Sequence, residues 1–237
     1  MTSRCCRLIG LELRKRFDTR GSTTGYGFLA LIVMLCGALS VSVVTRADSF
    51  AASEVVVTTG LAAALASSIV GAVVGVGDAG RGGEGDVLLG GHSRDAAFFA
   101  RGAACIVVIA ALVLFTAVVA AASAGVAVLL GGNLRSGVPL GAVGQVAGLS
   151  LSSAAAGFGI GSACRSLTLS VVTVVLVLLV VDALLGFLGD WSVFIRFSTV
   201  QSASTGTTAF LPTVTSTLLW IALPLLVGWV RTKRASA

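Results

Sequence analysis

A single histidine, His92, is all the chain offers for imidazole chemistry, and it stands alone among 237 residues. No CxxC pair and no clustered Cys/His set exists, so a structural zinc site has no ligands to draw on. No GxxxxGK[ST] segment occurs, so the chain does not bind ATP through a P-loop of its own. One GxGxxG match, at 75–80, straddles the end of an apolar run. A dinucleotide fingerprint needs a strand before it and a helix after it, so the match is accidental. An intramembrane aspartyl protease needs two carboxylates within spans, and only Asp182 lies well inside one. A haem subunit needs span histidines, and there are none. The chain therefore reads as a non-enzyme with no cofactor or metal of its own.

Charge is also scarce. Charged residues make up 11% and hydrophobic residues 56%, with a mean hydropathy of +1.03. That leaves too little polar surface to cover a soluble core. The net charge of +6 does not indicate nucleic acid, because the basic residues sit at the ends of apolar runs rather than in one patch. The five cysteines, Cys5, Cys6, Cys36, Cys105 and Cys164, read as free thiols. None falls in a loop predicted to face outward, which argues against a disulfide framework.

What is present is apolar sequence in lengths suited to a bilayer. Six stretches reach or approach the ~20 residues a spanning helix needs: 26–44, 55–76, 102–130, 142–163, 167–188 and 213–230. The expected fold is an all-α polytopic membrane protein with one transmembrane domain over 25–230 and no separate soluble domain. The third stretch is longer than a ~30 Å hydrocarbon core requires, so it must tilt, kink or protrude. The fourth carries small residues at i+4 spacing, Gly144, Gly148, Ser152 and Ala156, and a GxxxG pair, Gly157 and Gly161. Such stripes let helix backbones approach closely in lipid.

Residues 1–24 are basic and amphipathic. Ile9, Leu13 and Phe17 repeat at i, i+4 and i+8, which puts them on one helical face. Glu12 precedes Arg16 by four residues, the favourable order for a helical ion pair. An interfacial helix is predicted here, with Glu12, Arg14, Lys15 and Arg16 on its polar side.

The stretch 77–101 is the longest charged interruption. It holds seven formal charges, Asp78, Arg81, Glu84, Asp86, Arg94, Asp95 and Arg101, together with His92. It is predicted to be a loop between the second and third spans, as a solvated connector, a catalytic loop or a docking surface. The segment 190–210 is too broken to span and too apolar for a plain loop. A re-entrant or interfacial piece covered by protein is expected there. Asp182 must face protein or water, since a carboxylate near the bilayer centre costs about 2.5–3.5 kcal/mol. It reads either as a polar contact in a translocation path or as a carboxyl bonded to a neighbouring helix or to the 190–210 segment.

An even number of spans puts both termini on one side. Thirteen of the sixteen Lys and Arg residues fall on that side, with only Arg46, Arg135 and Arg196 opposite. The positive-inside rule then makes both termini, the 77–101 loop and the 231–237 tail cytoplasmic.

Several segments in this order resemble the permease subunits of ABC-2-type transporters, bacterial exporters whose ATPase is a separate chain. Glu12–Leu13–Arg14–Lys15, followed by Thr19–Arg20, is similar to the family's interfacial helix. Gly85–Asp86, then Ser93–Arg94 and Arg101, resemble its loop after the second span. Gly157–Phe158–Gly159 through Arg165–Ser166 resemble its turn before the fifth span, and the 190–210 segment precedes the last span as in the family. The resemblance implies a bacterial plasma-membrane protein that pairs with a second permease chain, identical or paralogous. It also implies two copies of a cytosolic ATPase, with ATP and Mg bound there and no nucleic acid involved. Val87, Leu88 and Leu89 would enter a groove on the ATPase, ringed by Asp86, His92, Arg94 and Asp95. The alternative is a membrane anchor or regulatory subunit that transports nothing. The excess of Arg over Lys, with abundant Ala, Val and Gly, fits a high-GC bacterium.

Overall fold

The computed structural model describes residues 8–14, 20–46, 49–77, 93–136, 140–204 and 206–234. Among them are six helices long and apolar enough to cross a membrane, the architecture of a multi-pass membrane protein. They are α1 (Arg20–Val44), α2 (Ala52–Val76), α3 (Arg94–Leu129), α4 (Leu140–Cys164), α5 (Leu167–Phe194) and α7 (Phe210–Arg234). A short helix, α6 (Phe197–Ala203), lies between the last two. Two short strands, β1 (Phe50–Ala51) and β2 (Leu134–Ser136), pair in parallel just ahead of α2 and α4. A helical segment at 8–14 precedes α1.

The bundle is built around α2 and α4. In their most apolar windows 72% and 67% of residues are buried, against 11% in each of α5 and α7. The cause is glycine. Gly71 and Gly75 of α2 face the Ala154 and Phe158 carbonyls, while Gly157 and Gly161 of α4 face those of Ser68 and Ala72. A methyl group at any of the four would overlap a facing carbonyl oxygen. Glycine inside a helix costs about 1 kcal/mol against alanine, which the close backbone contact along both helices offsets. The other small-residue row on α4 behaves differently. A Cβ on Gly148 would press on Ser204, whereas one on Gly144 would meet nothing within 4 Å.

Hydroxyls inside the bundle return to their own helices. Thr59, Ser67, Thr116 and Ser162 donate to the carbonyls of Val55, Ala63, Leu112 and Phe158 at 2.7–2.8 Å. These four buried hydroxyls are thereby satisfied without a partner helix.

α3 starts earlier than the apolar run from 102. It extends eight residues back to Arg94, through Arg101, which is buried. Ser93 accounts for the start. Its side chain accepts the Ala96 N–H at 3.2 Å, and Asp95 places an acidic group in the positive first turn.

α5 and α7 are both interrupted by π-helical turns, Leu176–Val181 and Leu218–Ala222. In α7 the reason is Pro224. It supplies no N–H, and the turn before it closes with the Leu223 N–H on the Leu218 carbonyl five residues back. α5 ends in a 3-10 stretch, Gly186–Phe194, broken at Gly189 with φ 72°. The left-handed conformation there suits glycine.

In the 8–14 segment Leu8 and Glu12 are the buried residues, while Ile9 and Leu13 are half-buried and Leu11 is exposed. Leu13, like Trp229, packs against the buried cluster that holds Phe98 and Phe158. Phe17 and the Arg16 partner expected for Glu12 lie outside the described residues.

Candidate functional site

Two places collect the polar residues singled out in the sequence. The first is the end of the bundle where the 8–14 segment, the start of α3 and the finish of α7 meet. Asp95 Oδ1 accepts the Trp229 indole N–H at 2.8 Å, and its Oδ2 lies 3.5 Å from Lys233 Nζ. The Lys233 ammonium also sits 4.1 Å from the Trp229 ring centroid. Arg94 donates to the Lys233 carbonyl at 3.1 Å, and Arg231 donates to the Ala163 carbonyl. The first turn of α3 is thus joined to the last turn of α7, and α7 to the end of α4. Asp86, Val87, Leu88, Leu89 and His92, the centre of the expected docking surface, lie outside the described residues, as do Lys15 and Arg16. Of that surface only Arg94 and Asp95 are placed, and both are engaged with α7. Glu12 is buried beside the same end, and Arg14 is exposed.

The second place surrounds Asp182, which is buried just after the π turn of α5. Its Oδ1 accepts the Ser198 backbone N–H at 3.1 Å, and its Oδ2 stands 3.9 Å from Arg196 Nη2. Ser198 is in the first turn of α6, whose own N-cap residue, Arg196, makes no side-chain cap bond. Asp182 therefore does from another helix what an N-cap side chain normally does locally. The carbonyls of the break before α6 are met by α7. Ser216 donates to Val193 O at 3.2 Å, Thr215 to Phe194 O at 2.9 Å and Trp220 to Ile195 O at 2.7 Å. Thr215, Ser216 and Trp220 lie five to ten residues into α7, about 8–15 Å along its axis, so the break lies beside the first half of that helix. Phe197 packs with Ile160, Leu178 and Trp220, its ring edge-on to the indole at 6.4 Å.

Chemically, this second place is a polar seam inside an apolar bundle. Gln201 donates to Ser153 at 3.4 Å. Ser150 Oγ and Arg196 Nε are buried without a hydrogen-bond partner. Among the described residues no three His, Cys, Asp or Glu side chains could together hold a metal ion.

Trp229, Lys233, Thr215, Ser216 and Trp220 were not singled out by sequence. Trp229 and Lys233 carry one local signal, the i, i+4 spacing that stacks an ammonium over an indole. The donors to 193–195 carry none, since a Thr or Ser in a span ordinarily bonds its own helix. Comparison with protein-family models, with characterised proteins and with solved structures finds no match for this chain.

Proposed function

We propose that the chain is the membrane-spanning permease subunit of an ATP-driven exporter, drawing its energy from a separate cytosolic ATPase. The observation that carries this reading is the Asp95–Trp229–Lys233 junction. The connection from α2 to α3 enters α3 at Arg94, which itself donates to the Lys233 carbonyl of α7, next to Asp95, which accepts from Trp229. A force applied to that connection from the cytosol would reach the last span directly. Few residues of α5 and α7 are buried, and both contain π turns, so these spans have few packing contacts to break when they move.

In this reading both termini and the 78–92 connection face the cytoplasm of a bacterial cell, as the distribution of Lys and Arg favours. The 190–210 segment is re-entrant. Uptake of its carbonyls by Thr215, Ser216 and Trp220 supports that placement, because unmet backbone groups at membrane depth are costly. Val87, Leu88 and Leu89 contact the ATPase, and two permease chains assemble with two ATPase copies.

The test is affinity purification from the native host in mild detergent, with mass spectrometry of the co-purifying chains. Recovery of a soluble Walker-motif ATPase, lost on Leu88→Asp/Leu89→Asp while membrane insertion persists, is the expected result. Recovery of a partner without a nucleotide-binding motif would replace the transporter reading with that of a membrane anchor.

A further inference from the structure

A lateral groove of about 600 Å³ opens between α3, α4 and α7. Its volume is within the ~300–1,000 Å³ range of ligand pockets. Its floor is Phe98, Cys105, Ile109, Ala154 and Phe158, all buried, and its lips are exposed apolar side chains such as Phe99, Ile106 and Leu226. From Phe98 to Ile109 the groove follows one face of α3 for eleven residues, about 16 Å. That is the depth of one leaflet, half of a ~30 Å hydrocarbon core.

The end at Trp229 is capped by charge. Among the described residues, Arg94, Arg231, Lys233 and Arg234 stand there against two carboxylates, the buried Glu12 and Asp95, and Asp95 is already committed to Trp229 and Lys233. The Arg94 guanidinium is bonded to a neutral carbonyl, so its charge is not cancelled by that contact.

We infer that this groove is a binding site for an anionic phospholipid of the adjacent leaflet, one acyl chain lying along α3 and the headgroup held at Arg94 and Lys233. Three features select this occupant. A leaflet-deep apolar slot matches an acyl chain. A surplus of cations at the headgroup level matches a phosphate with no compensating ammonium. Basic sites between spans are a known way of holding such headgroups. The inference rests on the chain being embedded in a bilayer and not on the ATPase partnership.

The experiment reconstitutes the full chain, as Trp191→Phe/Trp220→Phe, into vesicles containing brominated phosphatidylglycerol or brominated phosphatidylcholine. Trp229 fluorescence reports groove occupancy. Trp229 should be quenched at about fivefold lower mole fraction by the anionic lipid. Arg94→Gln/Lys233→Gln should remove that difference, and Ala155→Phe, which fills the groove, should reduce quenching by both lipids. Equal quenching by the two lipids in the unaltered groove, or a preference that survives the charge substitutions, would overturn the site. So would a Trp229 that neither lipid reaches, which means a second protein copy or another ligand covers it. A Trp220→Phe/Trp229→Phe chain reports from Trp191, which is exposed and outside the groove; if neither lipid quenches it, the bilayer placement itself fails. Should the tryptophan variants not fold, native mass spectrometry of the unaltered chain from mixed phosphatidylglycerol/phosphatidylcholine nanodiscs decides the same question. Retained phosphatidylglycerol, lost in Arg94→Gln/Lys233→Gln, supports the site, and unselective retention refutes it.

Discussion

Asp182 on α5 caps the helix that begins at Phe197, its Oδ1 accepting the Ser198 N–H at 3.1 Å across sixteen residues of chain. A carboxylate inside a span is unfavourable by itself. Here it meets a backbone N–H that would otherwise have no acceptor in an apolar surround, with the Arg196 guanidinium 3.9 Å away.

Asp182→Ala should therefore lower the thermal midpoint in detergent by the equivalent of a lost cap, about 0.5–2 kcal/mol. Asp182→Asn keeps an acceptor for Ser198 and should fall between the two. An alanine variant that melts with the unaltered protein would show that the cap contributes nothing.

Gly157→Leu and Gly144→Leu should behave oppositely, although both residues belong to small-residue rows of α4. At Gly157 any side chain strikes the Ser68 carbonyl, while Gly144 has open space around it. Overpacking costs typically about 1–3 kcal/mol, and more is expected where backbone meets backbone. Gly157→Leu should give little monodisperse protein and Gly144→Leu a normal yield. Equal yields would contradict the α2–α4 contact.

Trp229→Phe should matter more than Lys233→Gln. The indole N–H is a direct 2.8 Å bond to Asp95, whereas the Lys233–Asp95 pair is half-exposed and 3.5 Å apart, where solvent screening leaves little net gain. If the proposed ATPase partnership holds, Trp229→Phe in nanodiscs with that ATPase should leave its binding intact and lower transport per ATP hydrolysed. Unchanged transport would remove the junction from the coupling route.

Orientation is tested by cysteine labelling in intact cells, starting from a chain with its five cysteines replaced. Arg135→Cys, at an exposed position within strand β2, should react with a membrane-impermeant maleimide. Thr232→Cys, next to the basic end of α7, should react only after the membrane is opened. The reverse pattern would invert the topology.

The six spans were legible because each is a long apolar run with charge at its ends, and a bilayer accepts few other solutions. The GxxxG pair at Gly157 and Gly161 was legible for a similar reason: the spacing alone puts both residues on one face. Tertiary structure decided what faces that pair, and it separated Gly157 from Gly144. Spacing marks a smooth face but cannot say which smooth face meets another backbone. The start of α3 at Arg94 was hidden because hydropathy does not register a capped, charged helical turn. The partners of Asp182 and Asp95 were likewise hidden. Ser198, Trp229 and Lys233 lie far along the chain, and only the packing of α5, α6 and α7 against the α2–α4 core brings them within hydrogen-bonding distance. The sequence by itself determined how many spans form and roughly where each apolar run lies, because burial of apolar length depends on local composition. The choice of which polar groups meet was left to the fold, because those bonds depend on the relative position of helices whose outward faces look alike in sequence.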